Sequence, residues 1–270
     1  MKVLVIPDVH GSHNWEQAKQ IIDTVDKVVF IGDYVDSWEN KWPDQGENLN
    51  NIFKFARENP DKVDVLWGNH DWSYFSQSRY GYQVSGHQPL HSTEISSLLN
   101  ANKDILKVAV CYDDWVFSHA GITHAWVTTF KGDCEAEGIK FEEEDFFEQL
   151  NVAARNHVID ELFDWHGFFS GCGDEPCQGP LWVRPGSLLS NAEYPMQVVG
   201  HTEVVEGIDF FAQGKNGSRV IVVDSPDHSC LRILDTKKEY EFRTLLDLAR
   251  LGKQKQKEIN DAKSRAGQEE

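Results

Sequence analysis

The chain has 270 residues, 40% of them hydrophobic, with 15 Phe and 9 Trp, which suits one large α/β domain or two small ones with a substantial core. Forty-four acidic residues against 26 basic give a net charge of −18, which argues against non-specific nucleic-acid binding, since that needs a basic stripe. No apolar stretch approaches the roughly 20 residues of a membrane span, and residues 2–6 enter a strand pattern without a secretory leader; no membrane contact and a cytoplasmic location are expected.

In chain order, the run Val3-Leu4-Val5-Ile6 reads as a buried strand that leads to Asp8 and His10. Residues 14–25 carry Trp15, Ala18, Ile21, Ile22 and Val25 at helical spacing, with Asn14 as the expected N-cap. A second strand over residues 28–31 leads to Asp33 and Asp36, and residues 49–57 repeat the helical habit. A third, over residues 63–67, leads to Asn69, His70 and Asp71. Strands alternating with helices predict a parallel, covered sheet. Residues 74–92 read as a polar surface excursion beside these strand ends, and residues 92–100 as a short helix.

The run Trp115-Val116-Phe117 leads to His119, and Gln197-Val198-Val199 leads to His201. Between them, residues 142–169 read as one or two helices placed to cap the crevice, and residues 167–190 as irregular. Residues 218–223 and 230–234 are expected to close the domain as antiparallel strands around a turn at 224–229. One domain is therefore drawn over residues 1–240, with a helical insertion at about 140–170. Residues 241–270 form a charged helical or disordered tail with no assigned role. Five cysteines without a leader suggest reduced thiols; Cys172 and Cys177 suit a zinc clasp or a disulfide less well than ordinary loop thiols.

Five strands thus end on residues that bind cations, and in α/β sheets the carboxyl ends of strands form the ligand crevice. Asp8 and His10, two apart, share one side. Asp33 offers two oxygens and can bridge two ions, Asn69 offers an amide oxygen, and His119 and His201 each offer an imidazole nitrogen. Asp8, His10 and Asp33 would serve one ion, and Asp33, Asn69, His119 and His201 the other. Mixed nitrogen and oxygen donors suit Mn²⁺, Fe, Zn²⁺ or Ni²⁺ better than Mg²⁺ or Ca²⁺. Two such ions about 3.5–4 Å apart can hold a bridging hydroxide and clamp a phosphoryl group for in-line attack. Taken singly, each Asp reads as a turn or cap residue and each His as a core residue. Their ordered recurrence at five strand ends is what singles them out. Trp67, Trp72 and Tyr74 suit either stacking on an aromatic substrate or core packing, and His87 and His91 are weaker candidates to line the crevice.

The series Asp8-Val9-His10-Gly11, Gly32-Asp33-Tyr34-Val35-Asp36, Gly68-Asn69-His70-Asp71, Ser118-His119-Ala120-Gly121 and Gly200-His201-Thr202 resembles the calcineurin-like metallophosphoesterase superfamily, in particular its phosphoprotein-phosphatase branch. That branch holds bacterial and phage serine/threonine phosphatases and diadenosine tetraphosphatases. The resemblance implies a two-sheet β-sandwich flanked by helices in four layers, and a pair of metal ions with Mn²⁺ foremost. It also implies that His70 is the general acid on the leaving oxygen, oriented by Asp36, with Asn69 and His70 beside the phosphate. Asp71 stands where branch members carry Glu. A larger departure is Ser37-Trp38-Glu39 after Asp36, where the branch has an Arg that grips phosphate. Pro180-Leu181-Trp182-Val183-Arg184 resembles a Trp-x-Arg element near the phosphate, which makes Arg184 a substrate ligand; Arg79 is a weaker candidate. The expected function is hydrolysis of a phosphomonoester, phosphoserine or phosphothreonine first. A dinucleoside polyphosphate or other nucleotide comes next, then a phosphodiester. The rival of another class is a non-catalytic, metal-stabilised scaffold.

Overall fold

In β1 (Lys2–Ile6) successive side chains take opposite faces of the strand. Val3 and Val5 enter one apolar cluster, while Leu4 and Ile6 enter another. A strand buried on both faces needs a layer on each side, and this alternation builds the whole molecule. The computed structural model describes residues 1–78, 84–139, 143–167, 173–204, 209–212, 217–225 and 231–237.

After β1 come a broken helical stretch containing α1 (Ala18–Ile21), then β2 (Lys27–Phe30), α2 (Asp44–Glu58), β3 (Val63–Leu66), α3 (Asn69–Phe75), α4 (Ser92–Asn102) and β4 (Leu106–Lys107). β5 (Ala109–Tyr112) and β6 (Trp115–Ser118) lead to α5 (His124–Ala136), α6 (Phe146–Arg155), α7 (Asp160–Asp164) and α8 (Pro185–Asn191). β7 (Met196–Val199), β8 (Asp209–Ala212), β9 (Arg219–Val222) and β10 (Arg232–Asp235) follow.

Two five-stranded sheets result, in the orders β10-β1-β2-β3-β4 and β5-β6-β7-β9-β8. β1 to β4 run parallel, with β10 antiparallel on the outer edge of β1. In the second sheet β6, β7 and β9 run parallel, and β5 and β8 are antiparallel at its edges. Val3, Val5, Val29, Ile31 and Leu66 meet Val110, Phe117, Val198 and Ile221 between the sheets. The opposite face of the first sheet packs on Trp15, Ile52, Phe53 and Trp126, and the outer face of the second on Leu188 of α8. The four-layer α/β sandwich expected from the sequence is present.

Three expectations need correction. Residues 14–25 do not form one helix: two 3-10 segments flank the four residues of α1. Thr24 Oγ1 donates to the Ile21 carbonyl at 2.7 Å, taking an acceptor that a continuing helix would have used. The cap residue is His13, and Asn14 instead directs its N–H to Ser12 Oγ. The closing strands do not pair with each other either, since β9 completes the second sheet while β10 returns to the first. α6 packs along the sheet edges: Asn151 accepts from Val108 N–H at 2.6 Å and donates to the Ala109 carbonyl at 3.0 Å, joining β4 to β5. Phe163 of α7 meets Trp72 of α3. Arg79, Cys172 and the tail beyond residue 240 lie outside the described residues. Cys111, Cys134 and Cys177 are in no disulfide.

Candidate active site and metal centre

The parallel strands of both sheets deliver their carboxyl ends to one place. Asp8 and His10 follow β1, Asp33 and Asp36 follow β2, Asn69 and His70 open α3 after β3, His119 follows β6 and His201 follows β7. Convergence this close leaves no space for side chains at some strand ends. A Cβ at Gly68 would lie 2.1 Å from Asp33 Oδ1, and one at Gly200 would lie 1.9 Å from Asp8 Oδ1. The glycines of these motifs are therefore steric requirements of a crowded site. His10, Asp33, Asp36 and His201 all have left-handed backbone, with φ of 40°, 51°, 64° and 62°. Such conformations disfavour non-glycine residues and persist where the surrounding fold imposes them, which is most often at functional sites.

Asp33 is the centre of the cluster. Its Oδ2 lies 3.5 Å from His119 Nε2, 3.6 Å from His10 Nε2 and 3.9 Å from His70 Nε2, and its Oδ1 accepts from the His70 N–H at 2.9 Å. Burial on its own would raise this carboxyl, but His119, His70 and His10 outweigh it and hold Asp33 well below the usual carboxylate range. Asp8 behaves oppositely: burial, Asp224 and Asp33 push its carboxyl up. Asp8 Oδ2 accepts from the His201 N–H at 2.9 Å.

The histidines are oriented by backbone carbonyls. His10 Nδ1–H donates to the Val35 carbonyl at 2.9 Å and His119 Nδ1–H to the Ile31 carbonyl at 3.0 Å. A carbonyl can only accept, so each neutral ring presents the lone pair of Nε2 to the site. Burial lowers the proton affinity of His119 and His201, which favours the neutral form that binds metal. Asn69 Oδ1 sits 2.8 Å from His119 Nε2 and 3.1 Å from His201 Nδ1.

These donors fit divalent cations. Two groups of ligating atoms, from His10, Asp33 and His70 and from Asp8, Asp33 and His119, each lie within 4.8 Å of one another, and Asp33 belongs to both. Asp8 Oδ1 and His201 Nε2 are buried without a hydrogen-bond partner. An unpartnered buried acceptor is costly, and a cation bound at each atom would satisfy it. The six residues singled out from sequence thus come together. His70 joins one of the two groups geometrically, whereas the family resemblance implies an acid's role for it.

His70 Nδ1–H donates to Asp36 Oδ2 at 3.0 Å, and Asp36 is fully buried. Burial alone would lower His70, but Asp33 and Asp36 outweigh it and raise its affinity for a proton. Asp71 is also fully buried and accepts from Tyr34 N–H at 2.9 Å and Gly68 N–H at 3.1 Å, which fixes the start of α3. Arg184 stands beside His201 and donates from Nη1 to Thr202 Oγ1 at 3.2 Å. At the place of the absent phosphate-gripping Arg, Ser37 Oγ caps a turn by accepting from Glu39 and Asn40 N–H, and Trp38 is 79% exposed.

Other sequence candidates resolve differently. Trp67 and Trp72 are core residues packed on Phe75 rather than crevice walls. His91 stacks on Trp42. Tyr74, read as a stacking or core aromatic, directs its hydroxyl to Asp36, and two participants are not singled out by the sequence: Gln88, which reaches both Tyr74 and Asp36, and buried Asp224, whose charge is felt at Asp8 and His119. Only Asp224, directly after a strand, carried a visible signal.

A cluster of side chains that could hold cations lies at the strand ends of a two-sheet sandwich, an arrangement that fits a metal-dependent phosphoric ester hydrolase. Residues 1–204 match the calcineurin-like phosphoesterase family, and the chain belongs to it. The family depends on divalent metals, and its substrates are phosphorylated. No curated protein matches the chain. Among solved structures it is similar to a cold-active protein-tyrosine phosphatase of a psychrophilic Shewanella species, at 18% identity and TM-score 0.53 over 89% of this chain and 80% of that one. A second structure of a cold-active protein tyrosine phosphatase matches at 18% identity and TM-score 0.55, over 87% and 73%. Among the described residues no helix is long and apolar enough to cross a membrane.

Proposed function

We propose that the chain is a dinuclear phosphomonoesterase of the phosphoprotein-phosphatase-like branch. In this reading Asp8, His10 and Asp33 hold one cation and Asp33, Asn69, His119 and His201 the other, with Mn²⁺ the first choice and Fe, Zn²⁺ or Ni²⁺ the alternatives. Bound there, the cations polarise the phosphoryl group and lower the pKa of water in the site. His70, kept protonated by Asp36, gives its Nε2 proton to the leaving oxygen. Arg184 and Asn69 steady the phosphoryl oxygens. The observation that carries this reading is the single carboxylate of Asp33 lying within 3.9 Å of three imidazole Nε2 atoms.

Phosphoserine and phosphothreonine lead as substrates. The second reading, a dinucleoside polyphosphate or other nucleotide, is favoured by one feature: exposed Trp38, two residues after Asp36, offers a base a stacking surface where Arg is absent. Mn²⁺-supplemented hydrolysis of p-nitrophenyl phosphate, phosphopeptides, diadenosine tetraphosphate and bis-p-nitrophenyl phosphate ranks these, with metal analysis alongside. Asp33→Asn should abolish turnover and lower the bound metal. Near-normal activity and metal content in that variant would reject the shared-ligand arrangement.

A further inference from the structure

Asp36 has partners beyond His70. Tyr74 donates its hydroxyl to Asp36 Oδ1 at 2.6 Å, while His70 Nδ1–H occupies Oδ2 at 3.0 Å. The Tyr74 oxygen accepts the Gln88 N–H at 2.6 Å. Gln88 Nε2 lies 3.4 Å from the same Asp36 Oδ1 and donates to Gln45 Oε1 at 3.1 Å. Tyr74 is only 6% exposed, and its ring stacks on His87 with centroids 4.3 Å apart and planes 11° from parallel. Burial and the neighbouring Asp36 push its phenol well above the usual range, so it remains a donor.

His70 and Tyr74 are four residues apart on α3, one helical turn, and so share a face. One rigid element therefore offers two donors to the two oxygens of a single carboxylate. A carboxylate held at one oxygen only can turn about its Cβ–Cγ bond, and an imidazole bonded to it then swings. Held at both, it presents Oδ2 in one direction.

Resting on the acid role proposed for His70, we infer that Tyr74, anchored by Gln88, is a positioning residue. It locks the rotation of the Asp36 carboxylate so that His70 Nε2 is aimed at the leaving oxygen. Tyr74 touches neither substrate nor cation, and its effect passes through Asp36 and His70 alone. The proton that reaches the leaving group is the one on His70 Nε2, and Tyr74 keeps its own.

The consequence is selective. Proton donation matters for a poor leaving group and little for a good one, whereas a general loss of structure or metal lowers turnover of every substrate. Tyr74→Phe keeps the stacked ring and removes the hydroxyl. With Mn²⁺ saturating and metal content verified, it should lower kcat for phenyl phosphate about tenfold, the scale of one hydrogen bond to a charged acceptor. KM should not change, and p-nitrophenyl phosphate turnover should stay near wild type. Should that variant fold poorly, Tyr74→Met, which also lacks the hydroxyl, is read in the same way; the Gln88 contact to Tyr74 is a backbone N–H that no side-chain change at 88 removes. His70→Asn, run on the same pair of substrates, tests the underlying reading. If it shows the leaving-group selectivity and Tyr74→Phe does not, or if Tyr74→Phe loses activity equally on both substrates, the positioning role is overturned and the acid role stands. If His70→Asn shows no selectivity, the acid role falls and the positioning role with it.

Discussion

Gly200 offers the sharpest test of how tightly this site is built. It lies between β7 and His201, and its N–H donates to the His119 carbonyl at 2.7 Å. An alanine Cβ there would stand 1.9 Å from Asp8 Oδ1 and 2.9 Å from Ile31 Cγ2, whereas Cβ atoms essentially never approach closer than 3.0 Å. Relief therefore demands a displacement of about 1.1 Å, the difference between those two distances, in either the carboxylate or the backbone at residues 200–201. Asp8 is not free to retreat, because its other oxygen holds the His201 N–H. Overpacking of this kind costs on the order of 1–3 kcal/mol of stability. Misplacing a group in an active site by about 1 Å costs roughly 10²-fold in activity. Gly200→Ala should therefore bind Mn²⁺ more weakly by calorimetry and lose about two decades of kcat/KM on p-nitrophenyl phosphate. Gly132→Ala is the control: exposed on α5 with nothing within 4 Å of the new methyl, it should gain roughly 0.5–1 kcal/mol and keep full activity. Wild-type metal affinity and turnover in Gly200→Ala would refute the reasoning.

Asp164, 5% exposed beside Ser76, has its carboxyl pushed by burial from 3.8 up to about 6. Folding therefore disfavours its ionised form, and its contribution to stability declines as pH rises from the ordinary value through about 6. Asp164→Asn should raise stability by on the order of 2–3 kcal/mol near pH 8 and change nothing near pH 4, read by urea unfolding in chelator; a pH-independent difference would contradict this. Arg184→Ala should raise KM for p-nitrophenyl phosphate about tenfold with kcat nearly unchanged, and steady-state kinetics with both parameters unaltered would remove Arg184 from the site.

Much of this molecule was legible because buried parallel strands are written as short β-branched runs, and the residue after each run falls at a strand end whatever the neighbouring order. That is why Asp8, Asp33, Asn69, His119 and His201 were found together from sequence. Which sheet a strand joins is not written locally. Residues 219–222 and 232–235 look alike as apolar runs, and only tertiary packing sends one to β7 and the other to β1. The break in the first helix depended on one hydroxyl, Thr24, competing for a carbonyl. Tyr74 reads as core or stacking aromatic because its partner Asp36 lies 38 residues away. Hydrogen bonds across such separations leave no periodicity behind.

The strand order also bears on how the protein is made. β1, which carries Asp8 and His10 at its end, is synthesised long before its outer neighbour β10, at residues 232–235. Until that segment emerges, the edge of β1 stays open, with unpaired amides inviting mispairing with another chain. Shortening the gene before codon 232 would leave every ligand encoded while stripping away the brace beside Asp8. Such a fragment should be prone to aggregation, however complete its inventory of binding groups.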